Sequence, residues 1–310
     1  MKNQFLNDVL EGLSCQKKEI NCKYFYNTVG SNLFKKICLQ NEYYLTNTET
    51  DILKKFRKEI SQGIGKDITL IDYGCGSSDK INLLLDCLPK VSALISIDIS
   101  KSELIKVRNK INFIHPNLKV FPIVADFTQK IDLEKFILAG TIPVVFFSGS
   151  TIGNFSPKNT ITFLRDMVAT IGTFGKVLIG VDLKKDINIL NSAYNDANGV
   201  TALFNKNLLV RINAELNGNF EINQFRHLAF YNRKLSRVEM HLESKIDQTV
   251  TVGATIFKFK KGETIHTENS YKYVLSDFKK LAEKSGLEFL DAWLDEKSFF
   301  SVQLFKVQKN

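Results

Sequence analysis

ITLIDYGCGSSDKINLLL, residues 68–85, reads as a buried strand, a glycine turn and the start of a helix. Ile68, Leu70 and Ile71, with Thr69, make the short apolar run of a parallel strand covered on both faces. The run ends in Asp72-Tyr73-Gly74-Cys75-Gly76, after which Ser77 or Ser78 is placed to cap a helix reaching to about Leu88. Gly74 and Gly76 let the backbone pass close to a ligand, and the helix N-terminus behind them completes a nucleotide-shaped opening. A third glycine is missing and no Gly-Lys-Ser/Thr follows, so neither the dinucleotide fingerprint nor the phosphate loop is complete. Taken alone, such a turn is more often an ordinary tight strand-to-helix connection.

The same alternation continues outward from it. ALISID ends at Asp98, and Ser100 caps the helix SKSELIKVRNKI. LKVFPIVADF ends at Asp126-Phe127, and IPVVFFSGSTIGN runs into a Ser-Gly loop at Asn154 before a helix led by Pro157. KVLIGVDL reaches Asp182. This is the rhythm of a doubly wound α/β sheet, with Gly74, Asp98, Asp126 and Asn154 on the edge where open sheets bind ligands. Asp98 lies 24 residues beyond Gly74, near the roughly 20-residue spacing of a ribose-binding carboxylate. Asp126-Phe127 suits an adenine: an acceptor for the exocyclic amine and an apolar neighbour for the ring. Each aspartate alone is a common turn or cap residue. Three such endings together favour a nucleoside cofactor, and the absent diphosphate motif favours S-adenosylmethionine over NAD.

Composition removes several other classes. With 310 residues, 44% hydrophobic and 11% aromatic, the chain has enough apolar material for one large domain or two ordinary ones. The longest apolar run, residues 142–147, is strand-sized, far short of the roughly 18 residues of a membrane helix. The first 15 residues carry Asp8 and Glu11 and no sustained apolar segment, so no secretory signal is expected. Five cysteines, at 15, 22, 38, 75 and 87, form no CxxC pair; a cytoplasmic location and no metal site are expected. The formal charge of +9 is spread over scattered lysine pairs without an aromatic set, finger or basic arm. No nucleic-acid partner is expected from it.

Residues 1–24 predict a helix or arm with Phe5, Leu6, Val9, Leu10 and Leu13 on one side. Residues 23–49 predict a compact surface helix broken at Gly30-Ser31 and followed by a loop. Their tyrosines, Tyr24, Tyr26, Tyr43 and Tyr44, are junction packing or a pocket wall. A helix is expected from Thr48, capped by Thr48 or Thr46. After Lys185 the βα rhythm stops. Residues 186–232 predict helix and RVEMHLESKIDQTVTV and ATIFKFKKGETIHTENSYKY antiparallel strands. A helix closed by Gly286 and the strands FLDAWL and FFSVQLFKV then return to the first pattern. A sheet that resumes after an unlike segment implies an inserted domain. The expected division is an arm at 1–47, a core at 48–185, an inserted α+β domain at 186–271 and a return to the core at 272–310.

FYNTVGSNLF, EYYLTNTE, DYGCGSSDK, FFSGSTIGNFSP, AYNDANGVTALFNKNLLVRIN, FEINQFRHLAFYN, RVEMHL and KGETIHTENSYKY together resemble the L-histidine Nα-methyltransferases of ergothioneine biosynthesis, nearly end to end. The resemblance implies a class I, Rossmann-like S-adenosylmethionine-dependent methyltransferase core. It also implies a substrate domain made from the arm and the insert, and trimethylation of L-histidine to hercynine by a monomer. It carries cofactor contacts onto Gly74, Lys80, Asp98, Asp126 and Phe127. Substrate contacts fall on Tyr43, Asn154, Tyr194, Met240, Glu268 and Ser270, with Tyr26 and Thr201 close by. Of these, Tyr43, Asn154 and Tyr194 are expected nearest the chemistry. The usual Leu-Pro before Glu-Tyr-Tyr is here Gln40-Asn41, and the usual Pro-Thr-Arg-Thr-Glu is Leu45-Thr46-Asn47-Thr48-Glu49, which bears on loop rigidity.

Without the resemblance, Tyr43 reads as packing, Asn154 as a turn residue, Met240 as core filler and Glu268 as surface. Lys80 near a helix start opposes the dipole and suggests a carboxylate or ligand contact. Two other functions fit parts of the pattern: an N-methyltransferase of another aromatic amino acid, such as a tryptophan derivative, and a non-catalytic binding module on the same fold. The polar pair Glu268 and Ser270 argues against the first, and the intact endings from Gly74 to Phe127 against the second.

Overall fold

The computed structural model describes residues 2–76 and 78–309. Ser77, one of the two expected caps, lies outside the described residues. The chain forms two compact units, Met1–Tyr44 with Lys185–Ser270 and Leu45–Lys184 with Tyr271–Asn310.

The first unit opens with helix α1 (Lys2–Ser14), whose Phe5, Val9 and Leu13 are buried one turn apart. Helix α2 (Thr28–Ile37) follows, capped by Asn27, which accepts from Gly30 N at 2.8 Å. Gly30-Ser31 is therefore not a break. Gly30 sits in the first helical turn, where a Cβ would fall 1.7 Å from Phe25 O, so the glycine allows a close approach rather than ending the helix.

Helix α3 (Tyr44–Lys55) starts four residues before the expected Thr48, with Thr46 and Thr48 inside it. Its buried stripe, Leu45, Glu49, Ile52 and Leu53, carries the 3.6-residue period back past the threonines, which is why neither caps. Helix α4 (Arg57–Ile64) leads into strand β1 (Ile68–Tyr73), buried at every position. Then come helix α5 (Ser78–Cys87), strand β2 (Val91–Asp98) and helix α6 (Lys101–Ile114), the last capped by Ser100 as expected. Strand β3 (Lys119–Val124) contains Pro122 and stands at the sheet edge, where a missing N–H costs no ladder bond. Strand β4 (Ile142–Phe147), helix α7 (Pro157–Ile171), capped by Ser156, and strand β5 (Lys176–Asp182) complete the alternation.

Back in the first unit, helices α8 (Ile187–Ala193) and α9 (Val200–Leu216) precede strand β6 (Phe225–Asn232). FRHLAFYN is thus a strand, not the expected helix. It pairs antiparallel with strand β7 (Arg237–Ser244), Ala229 opposite Met240. A segment without strict alternation takes its form from the partner strand. Strands β8 (Gln248–Val252) and β9 (Thr255–Phe259) form a hairpin, and β10 (Thr264–Tyr271) joins β7 to give the order β10-β7-β6. Helix α10 (Leu275–Glu283) and strands β11 (Leu287–Leu294) and β12 (Phe300–Val307) then finish the second unit.

Its seven-stranded sheet runs β11-β12-β5-β4-β1-β2-β3. β1 to β5 are parallel to their neighbours, and β12 lies antiparallel between β5 and β11. The returning chain is pinned beside β5 by a fully buried ion pair, Lys272 Nζ to Asp182 Oδ2 at 2.6 Å. Breaking one partner of such a pair strands a charge in the core.

Candidate active site

In the second unit the strand ends come together through backbone bonds. Gly74 N donates to Ile97 O at 2.8 Å, and Ala125 N donates to Asp98 O at 3.1 Å. Gly74, Asp98 and the Asp126-Phe127 turn therefore stand side by side beyond β1, β2 and β3. Gly74 and Gly76 both have positive φ, +76° and +29°, which a side chain would strain. A Cβ at Gly74 would also fall 3.3 Å from the Phe127 ring.

Asp98 accepts from Ser100 N at 2.8 Å and from the Cys75 thiol at 3.7 Å. Burial raises its pKa, partly offset by the bonds from Ser100 and Gly76. A carboxylate offers about four lone-pair sites, and with Ser100, Gly76 and Cys75 bonded to it capacity remains for a ribose hydroxyl. Asp126 accepts from the backbone N and hydroxyl of Thr128 at 3.0 and 2.6 Å, which orients it at the turn. Asn154 ends a 3-10 turn, Thr151–Asn154, and is half-buried. These residues fit S-adenosylmethionine: bare glycine backbone, a partly satisfied carboxylate and an aromatic edge beside it.

Lys80 finds the carboxylate its position suggested: it is ion-paired with Glu49. Glu49 is fully buried on α3 and also accepts from Gly149 N at 2.8 and 3.0 Å. It fits because Gly180 has no side chain; a Cβ there would lie 2.0 Å from Glu49 Oε1. Glu49 is not among the residues the sequence singles out. Its signal was present, since a carboxylate on an apolar stripe needs a buried partner. Asp72, likewise given no role, is buried beside these groups. Burial first, then the Asp98 charge, pushes its pKa to about 7.

Seven of the expected substrate residues lie in the first unit. Tyr43 stands edge-on to Tyr194, ring centres 6.3 Å apart, and to Phe34 at 6.2 Å. Tyr26 packs on Phe34 and Phe204, each at 5.8 Å. Burial, followed by Tyr194, Cys38 and Glu268, pushes the Tyr43 phenol well above its ordinary pKa, so it keeps its proton. Tyr194 OH donates to Ser270 Oγ at 2.8 Å. Met240 is buried on β7, next to β10, where Glu268 is half-buried and Ser270 buried. Thr201 sits at the start of α9, its N–H bonded to Asp196 at 2.8 Å. Asn154 alone of the substrate set belongs to the second unit, with the five cofactor candidates.

Among the described residues, Glu239, His241 and His266 form the one group whose composition suits a metal. His241 Nδ1 is buried without a partner among the described residues. Yet the two imidazoles are stacked, 4.7 Å apart at 21°, and a metal about 2 Å from both nitrogens must lie near both ring planes. Arg237 Nε already pairs with Glu239 at 2.8 Å. The group is a carboxylate-anchored aromatic stack, and burial holds His266 down at a pKa of about 4. Among the described residues no helix is long and apolar enough to cross a membrane.

A sheet of this order, with the last hairpin entering antiparallel beside β5 and a carboxylate closing β2 next to the glycine turn, defines a class I S-adenosylmethionine-dependent methyltransferase. Over residues 5–307 the chain matches the family described as histidine-specific, S-adenosylmethionine-dependent methyltransferases, and it belongs to that family of enzymes. It is 35% identical to the histidine N-alpha-methyltransferase of Mycolicibacterium smegmatis, over 96% of this chain and 93% of that protein. Identity to the histidine N-alpha-methyltransferase of Mycobacterium tuberculosis is 34% over the same shares. A more distant relative is the L-tryptophan methyltransferase trpM of Psilocybe serbica, 24% identical over 83% of this chain and 78% of that protein.

Proposed function

We propose that this enzyme, acting as a monomer, transfers three methyl groups in succession to the α-amine of L-histidine, forming hercynine in ergothioneine biosynthesis. The observation that carries this reading is the arrangement of Tyr43 beside Tyr194 and Glu268, with Tyr194 bonded to Ser270. An imidazole has a nitrogen on each side of a small ring, so it needs one acceptor and one hydroxyl. Glu268 and Ser270 supply these, and Met240 supplies a soft apolar wall.

S-adenosylmethionine, when bound, provides an electrophilic methyl on a sulfonium. Gly74, Lys80, Asp98, Asp126 and Phe127 hold it; Lys80 is kept in place by Glu49. The chain's other task is to present a neutral amine lone pair to that methyl, which is a matter of positioning and electrostatics. Tyr194 holds the polar end of the amino acid. Tyr43 keeps its own proton, so it orients the amine through a lone pair and leaves deprotonation to water. Three transfers to one nitrogen demand an aromatic wall without a tight acceptor on the last N–H, and the Tyr26, Tyr43 and Tyr194 rings provide one.

Incubation with S-adenosylmethionine and each of the twenty amino acids, read by mass, tests the reading. Histidine should gain about 42 Da, three methyls of about 14 Da each, because no tight polar contact stalls the series. A stop at one methyl, or modification of tryptophan in place of histidine, would overturn it.

A further inference from the structure

A buried amide–imidazole pair lies behind the substrate residues of the first unit. Asn205, on the inner stripe of α9, is fully buried, and His227 on β6 is half-buried. Asn205 Nδ2 lies 2.9 Å from His241 O and 2.9 Å from His227 Nδ1. Its Oδ1 accepts from Thr267 Oγ1 at 2.8 Å, and the same hydroxyl lies 3.0 Å from Met240 O. His227 Nε2 lies 2.9 Å from Tyr194 O.

The chemistry of the partners fixes the amide and imidazole protons here. Amide orientation and imidazole tautomer follow from the bonding network, and two of these partners are carbonyls, which only accept. His241 O therefore requires the amide nitrogen of Asn205 to face it. That nitrogen's second hydrogen points at His227 Nδ1, which must then be a bare lone pair. The His227 proton consequently sits on Nε2, where Tyr194 O accepts it. Both ends of the ring are determined, and the imidazole is neutral; burial holds its pKa below the ordinary value. A second proton on Nδ1 would face the amide N–H.

From this geometry we infer that Asn205 and His227 are positioning residues for the amino-acid substrate. They tie the main chain of Tyr194 to β6, and the Met240 and Thr267 segments of β7 and β10 to α9. The spacing between the Tyr194 hydroxyl, Ser270 and the Met240 wall is thereby set by one amide and one imidazole that touch no substrate atom. The inference rests on the reading of these three residues as the histidine site. A long-range network of this kind explains why neither residue stood out in the sequence. An asparagine and a histidine, 22 residues apart, become partners only after α9 packs on β6.

His227→Leu and His227→Gln test it. Leucine removes the His227 bonds to Tyr194 O and to one Asn205 hydrogen. Glutamine offers an oxygen and an N–H with nearly the imidazole's spacing, so it restores both bonds. Histidine affinity is measured calorimetrically with demethylated cofactor present, alongside cofactor affinity, kcat and KM. His227→Leu should weaken histidine binding and raise KM by about 10-fold or more, with cofactor affinity unchanged and kcat less affected than KM. His227→Gln should restore histidine affinity to within about threefold of the parent, since both bonds are remade. Unchanged histidine affinity in the leucine variant, or a glutamine variant as impaired as leucine, would overturn the inference. Should the leucine variant fail to fold, nitrogen-15 shifts of His227 in the parent decide: a neutral Nε2–H ring supports the network, and an Nδ1–H or charged ring at neutral pH refutes it. A parent chain that binds cofactor but no histidine would count against the substrate reading, while the nitrogen shifts still judge the network.

Discussion

Two aspartates differ by what surrounds them. Asp98 keeps lone-pair capacity for a ligand, and in Asp98→Ala a ribose hydroxyl loses its acceptor. Titration calorimetry should show S-adenosylmethionine binding weakened by about 1–3 kcal/mol; undiminished affinity in a folded variant would remove Asp98 from the ribose. Asp72 sits deeper, and its raised pKa makes a statement about stability. With a folded value of about 7 against an ordinary 3.8, the native chain holds a proton that the unfolded chain has released across that interval. Stability from this group is therefore present in full below the lower value and falls as pH rises through the window. Asp72→Asn should reduce that slope in melting curves of the cofactor-free protein between about pH 4 and 7, leaving a residue from Asp98, whose pKa is also raised. A slope identical to the parent's would show that Asp72 ionises normally. Asp98 was legible from its distance to Gly74. The raised pKa of Asp72 was not, because it needs the Asp98 charge of a neighbouring strand as well as burial.

The strand-turn-helix units were the most legible elements. Their periodicity is local, and the caps at Ser100 and Ser156 formed where serine preceded an apolar-periodic run. β5 shows the opposite case. Its glycine at 180 looks like a weak point in a strand, yet its bare Cα makes room for the Glu49 carboxylate. Gly180→Ala should expel Glu49, releasing both Lys80 and Gly149 N. The expected result is a loss of cofactor affinity on the order of tenfold or more, from a stranded N–H and an unanchored lysine, with histidine's contacts in the first unit untouched. Equal cofactor affinity in the parent and Gly180→Ala would show that the Glu49 clamp has no bearing on the cofactor. β6 lacks the alternation that marks a strand, and the threonines inside α3 resemble caps. In both cases a partner supplied by another part of the chain outweighed local preference.

For the molecule as a whole, the cofactor candidates and the imidazole pair belong to separate compact units, so their energetics should separate too. Glu268→Ala leaves one imidazole nitrogen unpaired and should weaken histidine binding by roughly 10- to 100-fold, while S-adenosylmethionine binding stays nearly intact. Tryptophan, with a larger ring and no second ring nitrogen, should lose less or gain relative to histidine. Dissociation constants for both amino acids, with demethylated cofactor present, check this; an equal small change for both would sink the claim that Glu268 reads imidazole. What the sequence by itself determined was the alternating sheet, the strand endings at Gly74, Asp98 and Asp126, and the change of rhythm after Lys185. Each is written in contiguous residues, through periodicity, glycine and spacing. Only the tertiary structure decided that Glu49 meets Gly149, 100 residues away, and that Thr267 meets Asn205 across 62. Buried polar groups select their partners in space, and a hydrogen bond between distant segments leaves no periodic trace in either one.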